Sequence, residues 1–65
     1  MTAMKKNDIK SLMNDFQRGD TGAGLAICQM SGSKHAVNEF LAAENASDRW
    51  GMDSAVSFAV EFMGR

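Results

Sequence analysis

Cys28 and His35 are the only thiol and the only imidazole in a 65-residue chain that has no tyrosine. Nucleophilic catalysis needs a nucleophile, a base and an orienting group in mutual contact. Gly32 separates Cys28 from His35, and that spacing sets the two on successive helices rather than side by side. Cys28 ends the apolar run Leu25-Ala26-Ile27-Cys28 and reads as a buried, inert thiol. Asp15 and Asp20 stand at a spacing that solvated turns already explain. No catalytic set is expected, and the chain reads as a non-enzyme.

Metal and phosphate chemistry lack their residues too. Structural zinc takes four Cys or His ligands in short-spaced pairs, and one of each cannot supply them. The stretch from Asp48 to Asp53 lacks the alternating oxygen ligands of a calcium loop. Gly19-Asp20-Thr21-Gly22-Ala23-Gly24 is rich enough in glycine to suggest an anion cradle. No lysine-serine or lysine-threonine pair follows it, Ile27 stands where a GxGxxG would place its last glycine, and Asp20 would repel a phosphate. The segment is expected to be a flexible turn, and no cofactor and no metal are expected.

What remains is binding chemistry. The single tryptophan, Trp50, sits beside Arg49 and Gly51, where a large aromatic is either a lid over the core or an interface anchor. Phe58 and Phe62 border a polar stripe of Ser54, Ser57 and Glu61 at helical spacing. Glu39, Glu44, Asp48, Asp53 and Glu61 outnumber Arg49 and Arg65 in the C-terminal half, whereas Lys5, Lys6, Lys10 and Arg18 outnumber the acids of the first 18 residues. The overall charge of -1 is far from the basic excess of a nucleic-acid binder. Acidic residues of this kind would raise on-rate and specificity toward a basic partner surface. The candidate partner-binding residues are therefore Trp50, Phe58 and Phe62 as anchors, with Glu39, Glu44, Asp48 and Glu61 as steering charges.

The elements that position these residues are short. Ile9, Leu12, Met13 and Phe16 follow the i, i+3, i+4, i+7 spacing of one helix face, so 7–18 reads as a helix capped by Asn7 and stopped at Gly19. In 21–31, Leu25, Ile27, Cys28 and Met30 point all round a helical wheel, and Gly22 and Gly24 lower helix propensity by about 1 kcal/mol each. A strand near 24–30 stays open there. Ser33 is a good cap for a helix over 33–45 that gathers Ala36, Val37, Phe40, Leu41 and Ala43 on one side, with His35 and Glu39 one turn apart for a weak pair.

Residues 46–52 read as a connector. The segment 53–63 alternates Val56, Phe58, Val60 and Phe62 like a strand, but Asp53 as a cap and Gly64 as a stop favour a helix. That helix would carry an apolar arc of about 200°, twice the usual stripe of a surface helix. It is either the central element or is covered in part by another chain.

The predicted fold is an all-α single domain over 1–65, a bundle of three or four helices with residues 1–6 as a flexible arm. The alternative is α+β with short strands near 24–30 and 55–62. The core available to 65 residues is marginal, so a ligand, an oligomer or a partner is expected to help. A mean hydropathy of -0.25 and the want of an apolar run after Met1-Thr2-Ala3-Met4-Lys5-Lys6 argue against a membrane span or a leader, and the expectation is cytoplasmic.

The expected function is a small protein-binding module that inhibits or regulates a larger protein or complex by covering it, one with a basic, nucleic-acid-binding surface. Phage or mobile-element inhibitors of bacterial defence, anti-CRISPR proteins among them, share this size and composition. Gly32-Ser33-Lys34-His35-Ala36-Val37 also resembles the opening of a helix-turn-helix, but Phe40 stands where the turn glycine belongs. A DNA-binding regulator and a structural homo-oligomer are the alternatives.

Overall fold

The computed structural model describes residues 6–64, with side chains for residues 9–64. It holds four helices: α1 (Lys6–Gln17), α2 (Thr21–Ser31), α3 (Lys34–Asn45) and α4 (Arg49–Met63). The all-α bundle is the observed class, and no strand occurs among the described residues, so the α+β alternative falls away. The expected arm falls on residues 1–5, which lie outside the described residues, and on Lys6, which already belongs to α1. Asn7 consequently lies within the first turn of α1 and is not its cap.

One device makes all three connections. A residue in the left-handed region ends each helix, and the next residue caps the one that follows. Gly19 (φ 109°), Gly32 (φ 78°) and Ser47 (φ 55°) are the turning residues. Asp20, Ser33 and Asp48 follow them, and their side-chain oxygens accept hydrogen bonds from the amides of Ala23, Ala36 and Gly51 at 3.3, 3.2 and 3.0 Å. At both outer turns the orphan carbonyls are closed in the Schellman pattern. Asp20 N–H donates to Asp15 O at 3.0 Å and Asp48 N–H to Ala43 O at 2.8 Å. Helix α4 therefore starts at Arg49, capped by Asp48, and the expected connector over 46–52 is only a turn. Asp53, the expected cap, lies inside the helix.

Helix α2 touches the other three, while the backbone of α1 packs on α2 alone. That is why α2 has no favoured face: a helix surrounded by neighbours is apolar all round. Ile27 and Cys28 are fully buried, as are Phe40 and Ala36 of α3 and Ala59 of α4. Phe16 and Phe40 meet over α2 with ring centroids 5.9 Å apart, and a Cβ at Gly24 would come within 2.6 Å of both rings. Gly24 is thus a packing residue in a helix, not part of a flexible turn. Gly51 plays the same part between α4 and α3, where a Cβ would stand 2.9 Å from Cβ of Ala43. Leu41, expected on the buried side of α3, is 45% exposed because Ala36, Phe40 and Ala43 fill the inward stripe.

Arg49 spans the space that α1 and α4 leave between them. Its Nη2 donates to the carbonyl of Phe16 at 3.0 Å, its Cζ lies 4.2 Å from the Phe16 ring centroid, and its Nε is 3.5 Å from Asp53 Oδ1. The exposed ion pair contributes little, so the contacts with Phe16 carry the link. Arg49→Lys keeps the charge but loses the flat guanidinium and its fork of donors. It is expected to destabilise the fold by about 1 kcal/mol, read as a lower urea midpoint by circular dichroism. An unchanged midpoint would show that charge alone holds α4 to α1.

Candidate functional site

Starting α4 at Arg49 places Trp50 on the helix and in line with two other expected anchors. Trp50, Ser54, Phe58 and Phe62 form one row at four-residue spacing, which runs along a single ridge of an α-helix. Trp50 is 82% exposed, Phe62 43% and Phe58 38%. Trp50 is therefore not a lid over the core. The inward face of α4 is built by Met52, Ala55, Val56 and Ala59, which leaves the rest of the wide apolar arc on the surface. The backbone of α4 packs on α2 and α3 and reaches α1 only through Arg49, so α2 and not α4 is the central helix that such an arc allowed for.

Two hollows flank the ridge and share Ser54 and Phe58. On the outer side a hollow of about 540 Å³ is lined by Trp50, Asp53, Ser54, Ser57, Phe58 and Glu61. On the inner side a groove of about 550 Å³ runs between α3 and α4, with His35, Glu39 and Asp48 along it and small residues, Ala42, Ala46 and Gly51 among them, in its lining. Among the described residues, neither lining contains a lysine or an arginine. The expected residues Trp50, Phe58 and Glu61 thus meet in one hollow, and Glu39, Asp48 and Phe58 in the other. Phe62 lines neither but stacks on Phe58 with centroids 6.2 Å apart. Glu44 is exposed on α3 and lines neither hollow.

Two expected pairings resolve differently. His35 does not pair with Glu39, because Arg49–Asp53 is the only ion pair among the described residues. Its imidazole instead meets Phe58 edge-on at 5.0 Å between centroids, which extends the aromatic row across to α3. Asp48 is committed to capping α4, so its carboxylate both shapes and charges the groove.

His35 and Ser54 line these hollows but are not among the expected partner-binding residues. The signal for Ser54 is its place between Trp50 and Phe58 in the row, and it is hidden if the helix is begun at Asp53. The contact of His35 with Phe58 joins different helices and has no local signature.

Cys28 lies in the core, whereas His35 is on the surface against Phe58. Burial raises the Cys28 thiol above its ordinary value of 9.0 by disfavouring the thiolate. A thiol whose folded value lies above its unfolded one gives its stabilisation in full below 9.0 and loses it as pH rises through the folded value. The wild type is therefore expected to lose urea stability above pH 9 faster than Cys28→Ser does, whatever the cost of that substitution at neutral pH. Parallel pH profiles would contradict this. Among the described residues, no three His, Cys, Asp or Glu side chains converge on one point, and no helix is long and apolar enough to cross a membrane.

The described residues form a small all-α bundle of four helices, the last of which shows an aromatic ridge set among acids. No family model, curated protein or solved structure matches the chain.

Proposed function

We propose that the chain is a protein-binding module that inhibits or regulates a larger protein machine by covering part of its surface. The observation that carries this reading is Trp50, a large aromatic 82% exposed on a regular helix and aligned with Phe58 and Phe62. Exposed aromatics in a row, rimmed by polar groups, are the usual composition of interface anchors. The acids Glu39, Asp48 and Glu61 in the same hollows would steer the face toward a basic surface, and Glu44 would add to the field from α3. One population with this size and charge is the phage and mobile-element inhibitors of bacterial defence, anti-CRISPR proteins among them. A cytoplasmic machine that holds nucleic acid would offer such a basic surface.

The acids weigh against the other readings. A helix-turn-helix opened by residues 32–37 would carry Glu44 and Asp48 where phosphates lie. A two-fold homodimer built on the α4 face would bring Asp53 and Glu61 into the contact from both copies.

The test is capture of partners from host lysate by the tagged chain, with and without nuclease, beside the Trp50→Ala variant. A stoichiometric protein that survives nuclease and is lost with Trp50→Ala is the expected result. Recovery of the chain alone, or of partners that disappear with nuclease, would overturn the reading in favour of self-assembly or nucleic-acid binding.

A further inference from the structure

Resting on the reading that this face binds a protein, we infer that its occupant is a basic amphipathic helix with two Arg or Lys residues seven positions apart and an apolar residue midway between them. The sign of the charge comes first. Apart from His35, the ionisable side chains lining the two hollows among the described residues are carboxylates: Glu39, Asp48, Asp53 and Glu61. Arg49 lines neither hollow among the described residues: its guanidinium lies on the carbonyl and ring of Phe16, and its Nε reaches Asp53 Oδ1 at 3.5 Å in an exposed pair that contributes little and that a second cation can share. A helix with the opposite charge fits this rim, and a second copy of the chain does not.

The spacing comes from the geometry of α4. Asp53 and Glu61 lie eight residues apart, about 12 Å along the axis, and both line the outer hollow. On an α-helix laid alongside, residues i and i+7 share a face and stand about 10.5 Å apart, so their long basic side chains reach both acids.

The row Trp50–Ser54–Phe58 gives the middle contact. Ser54 is the small member between two aromatics and leaves a notch in the ridge, into which the apolar residue at i+3 or i+4 fits. Trp50 and Phe58 form the walls of that notch, and an arginine passing beside them can lie on an aromatic face. On the α3 side, Ala42, Ala46 and Gly51 keep the groove lining low, which lets a helix backbone come close.

Trp50 is the sole tryptophan and reports occupancy of this face without a label. The intact chain is titrated with two 14-residue, alanine-based helical peptides free of Trp and Tyr. One carries arginines at i and i+7 with leucine at i+4. The other has the same composition but arginines at i and i+5, which puts them on different faces. The expected result is a saturable blue shift of Trp50 emission with the first peptide, at roughly tenfold higher affinity than the second. Glu61→Gln should weaken the first peptide up to roughly fivefold, while Asp15→Asn on α1 should leave it unchanged.

Equal affinity for both peptides, no response of Trp50 up to millimolar peptide, or no effect of Glu61→Gln would each overturn the inference. The broader reading fails separately. A protein captured through Trp50 with an affinity indifferent to salt would refute the basic helix and leave protein binding standing.

Discussion

Gly24→Ala is expected to lower the stability of the domain by about 2 kcal/mol, although alanine is the better helix former. The added methyl would stand 2.6 Å from ring carbons of both Phe16 and Phe40, where carbon atoms pack comfortably only near 3.5–4.0 Å. Both rings are buried, at 2% and 0% exposure, and have nowhere to swing. The gain in helix propensity is at most about 1 kcal/mol, so the overpacking wins. For a chain of this length the melting temperature should fall by roughly 8–16 °C. Gly22→Ala is the natural control. Its methyl would meet only the carboxylate end of Asp20, at 3.3 Å, and its expected effect stays within about 0.5 kcal/mol. Far-UV circular dichroism is the readout, because Trp50 is too exposed to report on the core. A Gly24→Ala variant that melts at or above the wild type would show that α1, α2 and α3 do not converge as described.

The second large effect separates binding from folding. Trp50→Ala removes a side chain that is 82% exposed, so the melting temperature should barely move. Affinity for the captured partner should fall by at least roughly 30-fold, the equivalent of the ~2 kcal/mol that marks an interface anchor. Phe62→Ala should behave in the same direction, more weakly, since the ring is 43% exposed and partly spent on Phe58. Loss of fold in Trp50→Ala would place the indole in the core. Unchanged affinity would move the interface away from α4.

Much of the fold can be read from local spacing. The Ile9–Phe16 stripe marks α1, Ser33 marks the start of α3, and the glycines at 19 and 32 mark where helices turn. The difficulties share one physical cause. Gly22, Gly24 and Gly51 look like breakers in one dimension, yet all three lie inside helices, and Gly24 and Gly51 are there because another element comes close. Such a need exists only once the chain has folded. Taking Gly51 for a loop pushes the start of α4 to Asp53 and cuts Trp50 from its row, even though Asp48, five residues before Asp53, is an equally good cap. Ser47 disguises the same turn, because it adopts a φ of 55° that glycine usually supplies.

Phe58 and Phe62 were legible as exposed candidates because 53–63 has more apolar residues than one inward stripe can hold, whereas Trp50 stood in the expected connector, open between a lid and an anchor. Their alignment with Ser54 and the contact of Phe58 with His35 depend on where α4 begins and on α3 packing beside it.

The most direct test of the binding surface is a photo-crosslinker placed at Ser54, between Trp50 and Phe58, and compared with one at Asn38 on the other side of α3. Both positions are exposed, so neither is expected to disturb the fold. After irradiation in host lysate, position 54 should yield one discrete heavier product containing a second protein, and position 38 should not. Products from position 38 alone, or a product from position 54 that contains only a second copy of the chain, would contradict the assignment of α4 as the face that meets a partner.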